Sequence, residues 1–223
     1  MATQMGARMT FESAKALVKG LGYSVEQAVL TQSYIRSEVA MSTSIANYHI
    51  PILVNDTQNG AVRVNEKRLN LQDIFIATEI AVVFGIGAGT TTSAPLYTYP
   101  NSTAFATGGT ALWTIYNGYL NLSVNNQTVL PAWDVLRHYY APQTQQNTNF
   151  NSATATSPAV YTQDQVDYSE NPFFPVEPNI VLNGAANIQM SLSANGAPSA
   201  IATNSFICVL TRGILCQNVT TVK

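Results

Sequence analysis

The stretch Leu112-Trp-Thr-Ile-Tyr-Asn-Gly-Tyr-Leu-Asn-Leu-Ser-Val124 contains the clearest β-hairpin pattern of the chain. Two short runs flank Asn117-Gly118, and the second run alternates leucine or valine with Tyr, Asn and Ser. Both residues of an Asn-Gly pair tolerate positive φ, which a type I′ hairpin turn requires. The stretch therefore predicts two antiparallel strands joined at Asn117-Gly118, with Gly118 at positive φ.

Similar patterns continue on both sides of this stretch. Three more Asn-Gly pairs occur, at Asn59-Gly60, Asn183-Gly184 and Asn195-Gly196. Alternating or continuous apolar runs predict further strands. The main ones are Tyr48–Val54, Leu71–Phe84, Asn179–Leu182, Asn187–Leu192 and Ser205–Thr211. In the longest of them, one face is expected to carry Ile74, Ile76, Ile80, Val82 and Phe84.

The fold class predicted from these runs is mainly β, an antiparallel jelly-roll β-sandwich with a short helical N-terminal arm. The connections between several runs are too long for sequential hairpins, which favours two sheets with Greek-key crossings. A double jelly roll needs sixteen strands, and that alternative stays open. We expect two parts, a helical N-terminal arm over residues 1–36 and the sandwich over residues 37–223.

The arm is predicted to hold two short helices separated by glycines. The first covers Thr10–Lys19, and the second begins at a capping-box pattern, Ser24-Val-Glu-Gln27, and continues to about Ile35. The arm either packs on the sandwich or docks on a neighbouring subunit. Within the sandwich, Pro131–Tyr140 is predicted to be a helix of about two turns with proline in its first turn. Gly213 is expected to mark a β-bulge.

Composition excludes several classes of protein. Charged residues make up 10% of the 223-residue chain and the net charge is −2, whereas an ordinary soluble domain has about 25% charged residues. Strong binding to nucleic acid is therefore not expected. The sequence contains no apolar run long enough for a transmembrane segment and no secretory signal, so synthesis in a cytoplasm is expected. Cys208 and Cys216 are interpreted as buried small hydrophobes, not as a disulfide.

The search for chemistry gives no catalytic, cofactor-binding or metal-binding residue. Gly85-Ile-Gly-Ala-Gly89 follows an apolar strand, but no helix start and no lysine follow it, so the phosphate-loop pattern fails. His49 and His138 have no second ligand at a zinc spacing, and a hydrogen-bonded structural role is the favoured interpretation. Aromatic residues could build a platform for sugar binding, but Trp113 and Trp133 are interpreted as core residues because each lies in an apolar pattern.

An acidic set in and after the polar loop Gln143–Gln165 is the main charge cluster. Its members are Asp164, Asp167, Glu170 and Glu177. A solvated acidic loop is the favoured interpretation, and a calcium site is the alternative, because calcium accepts oxygen ligands from irregular loops. A carboxylate pair for glycoside hydrolysis also stays open, although nothing in the sequence singles out a pair.

Several segments together resemble jelly-roll virion proteins of bacteriophages. The segments are Glu66-Lys-Arg-Leu-Asn-Leu-Gln-Asp-Ile-Phe-Ile-Ala77, Thr98-Tyr-Pro-Asn101, Leu112-Trp-Thr-Ile-Tyr-Asn-Gly118, Pro178-Asn-Ile-Val-Leu-Asn-Gly184 and Leu210-Thr-Arg-Gly-Ile214. The likeness is to coat proteins with a helical arm and a β-sandwich, and it spans most of residues 30–215. It implies a structural protein without catalytic residues. The N-terminal arm differs from an arm that binds the genome, because it has too few basic residues.

The leading hypothesis is therefore a bacteriophage capsid subunit. It would self-assemble in the host cytoplasm into an icosahedral shell or its vertices, with copies of itself and other virion proteins as partners. The low charge suits subunit interfaces, whose cores contain few charged residues. The alternative is a jelly-roll module, displayed on a virion or cell, that binds carbohydrate or a receptor. An enzyme ranks third.

Overall fold

The computed structural model describes residues 9–50, 52, 69–86, 96–100, 110–140, 172–201 and 203–221 of the chain. The strands in these ranges are β1 (Tyr23–Ser24), β2 (Val29–Ala40), β3 (Asn47–Ile50), β4 (Ile74–Ile86), β5 (Leu96–Tyr97), β6 (Tyr119–Val124), β7 (Gln127–Asp134), β8 (Phe174–Asn183), β9 (Ile188–Ser193), β10 (Ser205–Gln217) and β11 (Thr220–Thr221). The helices are α1 (Phe11–Gly20), α2 (Trp113–Tyr116) and the 3-10 turns Thr110–Leu112 and Val135–His138. None of the described helices is long and apolar enough to cross a bilayer.

Two antiparallel sheets pack face to face as a sandwich. The first sheet has the order β2-β10-β4, and both β5 and β8 pair with the far side of β4. The second sheet has the order β3-β9-β6-β7. One apolar core lies between their inner faces, since alternate residues of every strand point inward. Its largest fully buried side chains include Tyr48, Phe75, Phe84, Leu112 and Tyr116.

The eight longer strands pair like the two arms of one long hairpin that has been folded over. The first four strands form one arm, and they pair in reverse order with the last four. Strand β2 pairs with β10, β3 with β9, β4 with β8, and β6 with β7. The turn Asn125-Asn126 forms the tip of this hairpin, and both residues have positive φ. Two further pairings, β4 with β10 and β6 with β9, join the halves side by side within each sheet.

A bulge in β4 changes which of its side chains face the core. Thr78 is an extra residue opposite Arg212 and Gly213 of β10, which agrees with the bulge predicted at Gly213. Before the bulge Phe75 and Ala77 face inward, and after it the inward residues are Ile80, Val82 and Phe84. The predicted placement of Ile74 and Ile76 on this same face is therefore wrong, because the extra residue reverses the alternation.

Helix α1 covers the outer face of the first sheet. Thr10 caps it by accepting a hydrogen bond from the Ser13 amide at 3.2 Å. Its buried residues pack against the outward side chains of β4 and β10, in a cluster that includes Ala14, Val18, Ile74, Ile76, Ile214 and Cys216. The helix thus packs on its own sandwich.

The second predicted helix of the arm is wrong. Ser24 lies in β1, and β2 begins at Val29 and pairs with β10 over twelve residues. Inward side chains such as Ile35 alternate with outward ones such as Tyr34, which is a strand period. Pairing along a whole neighbouring strand outweighs a local capping pattern, so the helical part ends at Gly20 and not at residue 36.

The predicted hairpin at Asn117-Gly118 is also wrong. Residues 110–116 form the 3-10 turn and α2, and Asn117 follows with φ of −81°. Gly118 is not among the glycines at positive φ. Its role is close packing, because a Cβ atom there would overlap the carbonyl oxygen of Ser193. Asn183-Gly184 and Asn195-Gly196 connect strands of different sheets, and Asn59-Gly60 lies outside the described residues.

The helix predicted over Pro131–Tyr140 is wrong as well. Residues up to Asp134 belong to β7, which is an edge strand of the second sheet, and only a 3-10 turn follows. Pro131 is tolerated because an edge strand leaves some amides unpaired. Ala132 has a left-handed φ of 46°, and its amide donates to Oδ1 of Asn121 at 2.8 Å.

Candidate functional site

The positions considered for chemistry do not converge in the described residues. His49 is exposed on β3 and Glu177 is exposed on β8, whereas Asp164, Asp167 and Glu170 lie outside the described ranges. In those ranges, no group of three or more His, Cys, Asp or Glu residues could hold a metal ion. Cys208 and Cys216 are buried and are not joined in a disulfide, as predicted, and burial raises the pKa of the Cys216 thiol to about 11.

His138 is fully buried and both of its ring nitrogens are hydrogen-bonded, as the sequence interpretation expected. The indole N–H of Trp133 donates to Nε2 at 2.9 Å. Nε2 is thus the acceptor, so Nδ1 carries the proton and donates to the carbonyl oxygen of Pro172 at 2.8 Å. The residue thereby connects the end of β7 to the chain entering β8.

Burial lowers the pKa of His138 to about 4. The hydrogen bond to Pro172 opposes this effect, the nearby positive charge of Arg137 adds to it, and Asp134 opposes it. Arg137 lies over the Trp133 ring at 4.7 Å and the Phe174 ring packs edge-on to the imidazole. The histidine is therefore neutral at ordinary pH and has a structural role.

Three aromatic side chains meet at the end of the sandwich where β6 begins, and we call them the aromatic cluster: Trp113, Tyr116 and Tyr139. The rings of Trp113 and Tyr139 are 5.1 Å apart, and each lies 5.5 Å from Tyr116. Tyr116 is buried edge-on against Phe84, 4.8 Å away. Trp113 is 36% exposed and Tyr139 38%. The prediction that Trp113 is a core residue is thus wrong.

The phenol oxygen of Tyr116 is an exception to the usual pairing of buried polar atoms. It has no hydrogen-bond partner in the described part of the chain. Burial raises the pKa of Tyr116 well above its usual value, and the neighbouring Tyr139 raises it further. Tyr48 makes a useful contrast, since its equally buried ring donates a hydrogen bond from its hydroxyl to the carbonyl oxygen of Ser42 at 3.1 Å.

Charged side chains on the described surface form local pairs and not a patch of one sign. Arg36 and Glu38 form an ion pair on β2 at 2.5 Å. Lys15 and Glu12 pair at 3.2 Å on α1. The guanidinium of Arg212 lies 3.6 Å from the centre of the Phe173 ring. Within the described residues, the basic side chains of Lys15, Arg36 and Arg212 therefore lie in three separate local contacts.

The outer face of the second sheet is polar and almost uncharged, and we call it the polar face. Its residues alternate with the core residues of β3, β9 and β6. They are Asn47, His49, Tyr119, Asn121, Ser123, Gln189, Ser191 and Ser193. Ser191 lies near the centre, in register with His49 on one side and Asn121 on the other. Outer faces of antiparallel sheets usually meet solvent or a partner.

Comparisons with known proteins place the chain in no family. No family model matches it, and neither the curated proteins nor the solved structures include a significant match. What the chain does must therefore be argued from its own residues.

Proposed function

We propose that this protein is a jelly-roll capsid subunit of a bacteriophage virion. The observation that carries the proposal is the order of strand pairing. Numbering the eight longer strands in sequence, strand 1 pairs with 8, 2 with 7, 3 with 6 and 4 with 5, and the pairs alternate between the two sheets. This order of pairing supports a jelly roll, an eight-stranded double sheet found in viral capsids.

The strand count supports a single roll. The described ranges contain eight longer strands, which is the number that one roll needs, and α1, β1, β5 and β11 lie outside that set. A double roll would need sixteen strands. The segments that connect β3 to β4, β4 to β6 and β7 to β8 fall largely outside the described residues.

The charge distribution supports a structural role in a shell. The chain has 22 charged residues in 223, counted as 10 basic and 12 acidic. An ordinary soluble domain has about 25% charged residues over its whole sequence. Interfaces between subunits need few charges, and homo-oligomers bring the same faces together by symmetry. Direct genome binding is not part of this proposal, because the described basic side chains are scattered.

The shell is proposed to form from copies of this chain together with other virion proteins. The eight side chains of the polar face include no Asp, Glu, Lys or Arg, so it is a proposed contact surface. The contacts are expected to bury more than about 1,000 Å² each. The role is structural and not enzymatic.

Electron microscopy and sedimentation of the purified full-length protein test the proposal. We expect capsomers or closed particles whose abundance rises with protein concentration. A species of 24.0 kDa at every concentration, together with virions that lack this chain, would contradict it.

A further inference from the structure

Two rings of the aromatic cluster are partly exposed and touch each other. Trp113 belongs to α2, and Tyr139 directly follows the 3-10 turn after β7. Their ring centroids are 5.1 Å apart, and the side chains are 36% and 38% exposed. Together they expose a patch of roughly 150 Å², given the about 150–250 Å² that a whole aromatic side chain can bury.

The size of this patch favours a small ligand over a protein partner. A stable protein interface buries about 800 Å² on each side. The exposed rings supply only a fraction of that area, but they cover one or two sugar rings. The stacking surface is therefore matched to a small molecule.

The surroundings of the cluster are polar and neutral. Asn117 follows α2 and is exposed. Asn195 is also exposed, and its backbone N–H donates to the carbonyl oxygen of Thr114 at 2.8 Å, which holds it beside α2. Amide side chains both donate and accept hydrogen bonds, as sugar hydroxyls do. The nearby charges are already engaged, since Asp134 accepts from the Leu136 amide and Arg137 lies over Trp133.

Tyr116 adds a second and independent observation. Its hydroxyl is buried and has no partner in the described part of the chain, and its ring packs against both exposed rings. An unpaired buried hydroxyl is costly for the folded state. The Tyr139 ring packs edge-on to the Tyr116 ring, with centroids 5.5 Å apart, and Tyr139 lies outside regular secondary structure.

We propose that the aromatic cluster binds a neutral carbohydrate. The C–H face of a pyranose ring packs on Trp113, the Tyr139 ring turns aside, and a ligand hydroxyl completes the hydrogen bonding of Tyr116. Asn117 and Asn195 supply the remaining polar contacts. This activity does not depend on shell formation, so the two proposals fail separately.

Ligand-detected NMR on the full-length protein tests the proposal. The probes are the methyl glycosides of glucose, galactose, mannose and N-acetylglucosamine, each at about 10 mM because single sugar rings bind with millimolar affinity at best. We expect at least one glycoside to bind. Trp113→Ala should weaken that binding more than about tenfold, because it removes the stacking surface.

Two further variants make the test specific. Tyr116→Phe should weaken binding about fivefold, the usual worth of one neutral hydrogen bond. Tyr34→Ala is the matched control, since it removes an aromatic residue that is 42% exposed on β2, in the other sheet, and it should leave binding unchanged.

The proposal is overturned if no glycoside binds, if binding survives Trp113→Ala, or if Tyr116→Phe binds as well as the unaltered protein. It is also overturned if Trp113→Ala reduces the sedimenting mass without affecting sugar binding, because the cluster would then contact another copy of the chain.

Discussion

Trp133 donates its indole N–H to Nε2 of His138 at 2.9 Å, and this bond fixes the tautomer of an imidazole that burial keeps neutral. Protonation of Nε2 would place two donors face to face beside the guanidinium of Arg137. The folded protein thus disfavours the imidazolium. The hydrogen-bonded link between β7 and β8 requires the neutral form of the ring.

Acid should therefore destabilise the protein through His138. The pKa of this residue is about 4 in the folded state, against a usual value of 6.5, which we take for the unfolded chain. Between pH 6.5 and pH 4, the unfolded chain therefore binds a proton that the folded protein does not. Stability is highest above pH 6.5, falls as pH drops toward 4, and is lower by up to about 3 kcal/mol there. Urea unfolding at several pH values measures this loss.

The histidine variants identify the source of that slope. His138→Asn should be less stable at neutral pH and should lose much of the pH dependence between 6.5 and 4. His49→Asn, which removes an exposed histidine from β3, is the matched control and should keep the slope. Equal slopes in the unaltered protein and in His138→Asn would contradict the prediction.

Two tyrosine-to-phenylalanine substitutions should act in opposite directions. Tyr116→Phe removes an unpaired buried hydroxyl and should stabilise the fold by about 1 kcal/mol. Tyr48→Phe removes a hydroxyl that donates to Ser42 and leaves that carbonyl oxygen short of one partner, so it should destabilise by about 1 kcal/mol. Thermal unfolding of both variants measures the contrast, and a loss of stability in Tyr116→Phe would show that its hydroxyl has a partner.

Gly213→Ala should be among the most damaging small substitutions. A Cβ atom at this position would overlap the carbonyl oxygen of Ile76 across the β4 bulge, so one of the strands must move, at a cost of more than about 2 kcal/mol. Gly20→Ala is the matched control, because a Cβ atom there meets nothing within 4 Å and alanine favours helix by about 1 kcal/mol. Comparable unfolding midpoints for the two variants would refute the argument.

Ser191→Arg should impair self-association without unfolding the chain. The side chain lies near the centre of the polar face, and arginine there adds both bulk and an unpaired charge to any contact between copies. Ser13→Arg on the exposed side of α1 is the matched control. Sedimentation should show smaller species for Ser191→Arg alone, with unchanged thermal midpoints; identical assembly would remove the polar face from the proposed contacts.

The sequence predicted the sandwich because most strands carry their own signal. Alternation marks β6 and β9, and continuous apolar runs mark β4 and β10, which are covered on both faces. These patterns can be read from the sequence because the alternation of side chains within a strand itself decides which face of the sheet is buried.

Local signals failed where partners distant in sequence decide the structure. A capping-box pattern at Ser24 and a proline suited to a first helical turn at Pro131 suggested helices, but pairing of β2 with β10 and of β7 with β6 decided the outcome. Sequence reasoning missed the aromatic cluster because Tyr139 lies 23 positions after Tyr116. No local pattern indicates that two residues so far apart meet in the fold. The spacing of Trp113 and Tyr116, three residues apart on one helical turn, is the only signal that could have indicated the cluster.

The central position of β10 has a consequence for biosynthesis. This strand lies between β2 and β4: it pairs with β2 along its whole length and covers one edge of β4, whose other edge pairs with β5 and β8. A ribosome releases the amino end first, so β2 and that edge of β4 stay open until residue 217 has emerged, and open edges favour aggregation. We expect chains truncated before Ser205 to be degraded rapidly by proteases, because β2 can join the first sheet only after β10 has been made.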